Sequence, residues 1–190
     1  MTQQAHAAKL SITTVARRNA CSLCTSLKEF QNDLLKSLEA QECRRFCNTH
    51  GWMIANATPA ESAATIFLKA VLDPEWRPAS SSFKECDLCK RMYDEKERRI
   101  IEIARQLQQS RLRSWLHDYG MLCSRHGQEV AMKMPESLRS CIQELIARNS
   151  GEIGEILQDF LQRVKQGSHA GGGALGRAAE FLVAQRGIES

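Results

Sequence analysis

The chain has 190 residues, 43% hydrophobic and 25% charged, a balance that excludes wholesale disorder, collagen-like repeats and low-complexity assembly. Lys and Arg total 26 against 22 acidic residues, and the resulting +4 is spread over both halves of the chain, without the concentrated basic patch that usually supports nucleic-acid binding. Eight cysteines are the departure from the average.

In chain order, residues 1–19 form an N-terminal arm without the continuous apolar core of a secretory signal. No uncharged apolar run anywhere approaches the roughly 18–20 residues that a bilayer requires, so a cytoplasmic protein without a membrane span is expected. In that setting, cysteines at short regular spacings read as metal ligands or redox groups before they read as a disulfide framework.

A first repeat occupies residues 20–73. It opens with Cys21-x-x-Cys24 and continues with Leu27, Phe30, Leu34, Leu35 and Leu38, the three-and-four spacing of an amphipathic helix expected over Thr25 to Ala40. Phe46-Cys47-x-x-His50-Gly51 follows. Thr58-Pro59-Ala60-Glu61 then reads as a helix start, with Thr58 as N-cap and Pro59 at the first helical position, and predicts a helix to about Leu72. Residues 74–83, with two prolines and a serine run, read as a linker.

The second repeat, 84–166 with an added helix, follows the same order. Cys86-x-x-Cys89 leads into Ile100, Ile101, Ile103, Ala104 and Leu107, and Leu122-Cys123-x-x-His126-Gly127 answers the first CxxH. Pro59 and Pro135 each lie twelve residues beyond the CxxH cysteine, and Ile66 and Ile142 lie seven beyond those prolines. An internal duplication is the economical explanation. The interiors differ, with 22 residues between Cys24 and Cys47 but 33 between Cys89 and Cys123, an insertion of about three helical turns. Helices are expected from Pro135 to about Asn149 and, after a break at Ser150-Gly151, along Ile153, Ile156, Leu157, Phe160, Leu161 and Val164 to about Gln166. Residues 167–190 comprise a glycine-rich linker and a tail helix, Ala174 to Arg186, with Leu175, Ala178, Ala179 and Leu182 on one face and Phe181 at its margin. The fold class is therefore all-α: a helical bundle built from an internal duplication, each half carrying a CxxC…CxxH metal site.

Cys21, Cys24, Cys47, His50, Cys86, Cys89, Cys123 and His126 supply two sets of three thiolates and one imidazole, donors suited to tetrahedral Zn²⁺, so two zinc ions are expected. An iron–sulfur cluster is the weaker alternative. Spacing alone leaves the pairing open: closure of each CxxC with the CxxH of the same half is favoured, because an exchange of partners should require helices of equal length, and the alternative is an exchanged arrangement in which Cys21 and Cys24 join Cys123 and His126 while Cys86 and Cys89 join Cys47 and His50. Four protein ligands leave no open position, which points to structural metal.

Outside the octet, Cys43 and Cys141 read as buried small side chains, although Cys43, beside Arg44 and Arg45, could also be an activated thiol or an alternative ligand. His117-Asp118 has no nucleophile to serve, and Trp52, Trp76 and Trp115 read as packing residues. Arg98-Arg99 and Arg111-x-Arg113 read as a solvated helix face. No phosphate loop, nucleophile elbow or zinc-protease motif is present, which weighs against an enzyme. The expected function is a non-enzymatic double-zinc interaction or accessory module with a protein partner, docking through the tail or an apolar helical face. Alternatives are a thiol/zinc redox sensor, a zinc-dependent nucleic-acid binder using Lys9, Arg17 and Arg18, and an iron–sulfur electron carrier.

Overall fold

The computed structural model describes residues 21–39, 42–76, 85–119, 122–167 and 173–183. They form helices only: α1 (Ser22–Lys36), α2 (Asn48–Ala57), α3 (Ala60–Leu72), α4 (Asp87–Gln106), α5 (Ser110–Tyr119), α6 (Ser124–Lys133), α7 (Glu136–Lys165) and α8 (Gly173–Val183). Among the described residues, no helix is long and apolar enough to cross a membrane. The described residues fall into two compact units, one drawn from 21–22 and 104–183, the other from 23–103.

In the unit of residues 23–103, Leu35, Leu38, Phe46, Ile54, Ala63, Ile66 and Leu88 form one buried cluster together with Cys43, Cys47 and Cys86. Phe46 anchors it, meeting Phe67 edge-on at 5.6 Å between ring centroids and Trp76 at 5.2 Å. Aromatic pairs in this range contribute about 0.5–1.5 kcal/mol each beyond their buried area. The α1 stripe read from the sequence is the face that is used, with Leu27, Leu35 and Leu38 buried. In α4, Ile100, Ile103 and Ala104 are buried but Ile101 points outward, one residue off the stripe.

Thr58 and Pro59 differ from expectation. Thr58 is the C-cap of α2, its N–H donating to the Ile54 carbonyl, and Pro59 occupies the N-cap of α3. With only Thr58 and Pro59 between the two helices, Thr58 is held by the end of α2 and its hydroxyl is not used to cap α3. The helix does end at Leu72, as the sequence predicts.

The other unit packs α6 and α8 against α7, with α5 also touching α7. The expected break at Ser150-Gly151 is absent, and α7 runs unbroken for 30 residues. A helical glycine costs about 1 kcal/mol relative to alanine. Here packing on both sides outweighs that: Asn149 is buried and donates from Nδ2 to the Leu122 carbonyl at 3.2 Å, and Ile153 joins Ala178 and Phe181 in a buried cluster. In α8 the buried residues are Ala174, Ala178 and Phe181, whereas Leu175 and Leu182 are exposed. The apolar face is thus rotated from the one read in the sequence, because Phe181 is the anchor and the small alanines allow close approach to α7.

The ten residues of α5 take up the extra length between Cys89 and Cys123. Arg113 on this helix is not part of a solvated face. Its guanidinium donates to the carbonyls of Leu107 at 2.9 Å and Gln108 at 2.7 Å, satisfying groups just past the end of α4. Arg98 and Arg99 pair with Glu95 along α4, as a charged helix face would. The side chains of Trp115, His117 and Asp118, the tail beyond Val183 and the arm bearing Lys9, Arg17 and Arg18 lie outside the described residues.

Candidate metal centres

Each ligand pair is built in the same way from local backbone. Cys47 is the N-cap of α2 with extended backbone (φ −80°, ψ 170°), and Cys123 is the N-cap of α6 (φ −67°, ψ 158°). Their carbonyls accept the first helical hydrogen bonds from Gly51 at 2.8 Å and Gly127 at 2.9 Å. This places His50 and His126 in the first turn, above the cysteine three residues earlier. Cys21 and Cys86 likewise stand immediately before α1 and α4, with Cys24 and Cys89 in the first turn. The Cys86 carbonyl accepts from Lys90 N–H at 3.0 Å, and its sulfur accepts from Cys89 N–H at 3.5 Å. Helix N-termini, with unsatisfied N–H groups and the positive end of the dipole, favour thiolate charge.

Two quartets form: Cys21, Cys24, Cys123 and His126 in one, and Cys47, His50, Cys86 and Cys89 in the other. Within each, all four donor atoms lie within 4.8 Å of one another. The CxxC of one repeat therefore meets the CxxH of the other, and the expectation of closure within each repeat is overturned. The physical reason is visible around Cys47. Helix α1 carries the chain about 22 Å onward from its start. The segment before Cys47 is then not extended back toward Cys24 but tied to the start of α4. Asp87 Oδ2 accepts from the backbone N–H groups of Arg44 at 2.7 Å and Arg45 at 2.9 Å, and Asp87 N–H donates to the Arg45 carbonyl at 3.0 Å. Exchange does not require equal helices, because α5 absorbs the surplus residues.

The donor distances fit one ion per quartet. With Zn–S about 2.3 Å and Zn–N about 2.0–2.1 Å, a tetrahedron has edges of about 3.8 Å between sulfurs and about 3.6 Å between sulfur and nitrogen. His50 Nδ1 lies 3.3 Å from Cys47 Sγ, 3.4 Å from Cys86 Sγ and 3.3 Å from Cys89 Sγ, and the Cys47 and Cys89 sulfurs are 3.9 Å apart. In the other quartet, His126 Nδ1 is 3.3 Å from Cys123 Sγ and 3.6 Å from Cys21 Sγ. A disulfide would bring two sulfurs to about 2.05 Å, far closer than these contacts. Burial raises the thiol pKa values of Cys86 and Cys89, so a metal ion must displace protons to bind there.

Asp87 was not singled out by sequence reasoning; its position just after Cys86 resembles any acid in a first helical turn. Asp87→Ala should lower stability by about 1–3 kcal/mol, since two backbone donors lose a charged acceptor, and should weaken metal retention. Asp87→Asn, whose carbonyl oxygen still accepts, should recover part of both in a denaturant titration paired with a chelator competition.

The glycine after each histidine also carries a packing role. A Cβ at Gly127 would stand 2.6 Å from Ile146 Cδ1 and 2.8 Å from its Cγ1, and one at Gly51 would stand 3.2 Å from the Phe46 ring. Gly151 has open space around the same position. Urea denaturation should find Gly127→Ala destabilised by about 1–3 kcal/mol through overpacking. Gly151→Ala should be stabilised by up to about 1 kcal/mol through helix propensity.

Neither cysteine outside the octet joins a quartet. Cys43 is buried in the aromatic cluster and its thiol pKa is pushed up to about 12, chiefly by burial and then by Asp87, Cys86 and Cys47, so the reading of an activated thiol fails. Cys141 is half-buried on α7 and donates to the Leu138 carbonyl at 2.9 Å. Trp76 packs on Phe46, but Trp52 is 68% exposed and is not a packing residue. The chain matches no known family model, no curated protein and no solved structure.

Proposed function

We propose that this chain is a non-enzymatic double-zinc helical module that acts by binding another protein. The observation that carries the reading is that each quartet is closed: three sulfurs and one nitrogen fill a tetrahedral ion, leaving no position for water or substrate. Zinc is favoured over an iron–sulfur cluster because four donors within 4.8 Å of one another surround a single atom, whereas a cluster spreads its ligands over several irons. The ion's role is to fix the helix N-termini that carry its ligands. The duplicated order of CxxC and CxxHG is in keeping with an origin by internal duplication.

A partner surface is supported by apolar side chains left in solvent. On α3, Leu68, Val71 and Leu72 share an exposed face, with Val71 80% exposed, and Trp52 stands exposed on α2. In the other unit, Leu175 and Leu182 do the same on α8. Contiguous exposed apolar groups of this kind mark interaction sites more often than they occur by accident. Affinity capture with the zinc-loaded chain should retain a partner that is lost with Trp52→Asp or Val71→Asp and kept with a charge change at Arg98 on α4. Equal capture by all of these, with both ions still bound, would contradict the reading.

A further inference from the structure

The two quartets are not equivalent. All four ligands of the Cys21 centre are buried, whereas in the other centre Cys89 is half-exposed. The Cys89 and Cys47 sulfurs are 3.9 Å apart. Cys47 in turn lines a cavity of about 490 Å³ formed with Phe46, Gly51, Trp52, Phe67 and Trp76. Cys89 is thus the one ligand of this centre that is not fully buried, and Cys47, with its sulfur 3.9 Å away, borders the cavity.

Resting on the metal reading above, we propose that the Cys47–His50–Cys86–Cys89 centre is a hydroperoxide-sensitive modification site, at which oxidation joins Cys89 to Cys47 and releases the ion. Thiolates, not thiols, react with peroxides, and a bound ion keeps Cys89 in the thiolate form despite its burial. The Cys89 sulfur attacks one peroxide oxygen; an S–O bond forms, the O–O bond breaks and hydroxide leaves. The Cys47 thiolate then attacks the Cys89 sulfur; the S–S bond forms, the S–O bond breaks and a second hydroxide leaves. Two protons from solvent convert the hydroxides to water. The two sulfurs together lose two electrons and the peroxide gains them. His50 and Cys86 remain as two donors, too few to hold the ion tightly. The sulfurs must close from 3.9 Å to about 2.05 Å for the bond to form.

The test uses the full chain loaded with two zinc ions and treated with hydrogen peroxide, with released zinc followed by a chromogenic chelator and the cross-link located by peptide mass mapping. The expected result is prompt release of one ion, at least about tenfold faster than the second, with a Cys47–Cys89 disulfide and recovery on adding thiol reductant and zinc. Cys89→His, which keeps a nitrogen ligand in place of the sulfur, should retain both ions and resist the fast phase. Release of both ions at one rate, loss from the Cys21 centre first, or a disulfide between Cys86 and Cys89 would overturn the proposal. Two ions held throughout would sink it while leaving the metal reading intact, and a purified chain that binds no zinc before peroxide is added would remove both.

Discussion

Replacing Cys47 and Cys89 together leaves a chain that holds one zinc ion, whereas replacing Cys24 and Cys47 together leaves a chain that holds none. Cys47 and Cys89 belong to one quartet although they come from different repeats, and their sulfurs lie 3.9 Å apart. Cys24 and Cys47 belong to one repeat but to different quartets. If each repeat closed on itself, the two outcomes would be interchanged. Elemental analysis of the two double variants, each Cys→Ala, reads the difference directly as one ion against none. Removing one ligand of a tetrahedral zinc site leaves an incomplete shell, so the single variants Cys47→Ala and Cys24→Ala should each retain one tightly held ion.

Stripping the metal should unfold helices rather than loosen a loop. Structural zinc in small peptides contributes about 10–16 kcal/mol at neutral pH, comparable with the about 5–15 kcal/mol by which whole domains are stable. A strong chelator should therefore abolish most of the far-ultraviolet helical signal, and returning zinc should restore it. The dependence on pH follows from the thiols. Burial raises Cys86 and Cys89 above the ordinary thiol value of 9.0, so in the folded metal-free chain both carry protons at neutral pH. Zinc binding to the three thiols of the quartet releases up to three protons, so affinity should fall steeply on acidification, by up to about a thousandfold for each unit that pH drops. Zinc titrations at several pH values test that sign. A zinc affinity that rose on acidification would contradict the assignment of thiolate ligands.

The two Cys and His clusters draw on residues that the sequence singles out because each pair is a local device: two donor side chains three residues apart, one just before a helix and one in its first turn, with glycine after each histidine. Their pairing was not legible, because it is set by contacts across about forty residues that no spacing reports. Asp87 fixes it around Cys47, and in sequence it is merely an acid after a cysteine. Helix content followed from three-and-four periodicity, and the end of α3 at Leu72 was read correctly. Local signals failed where packing overrode them. Gly151 did not end α7, Thr58 closed the preceding helix instead of opening the next, and Phe181 set the buried face of α8. Trp52 shows the converse: a large aromatic residue that composition assigns to a core stands in solvent.

X-ray absorption at the zinc edge of the purified chain reads the coordination shell itself. Two zinc ions per chain are expected, with an average shell of three sulfurs at about 2.3 Å and one imidazole nitrogen at about 2.0–2.1 Å. A shell dominated by oxygen, or a chain that carries no stoichiometric metal, would contradict that expectation.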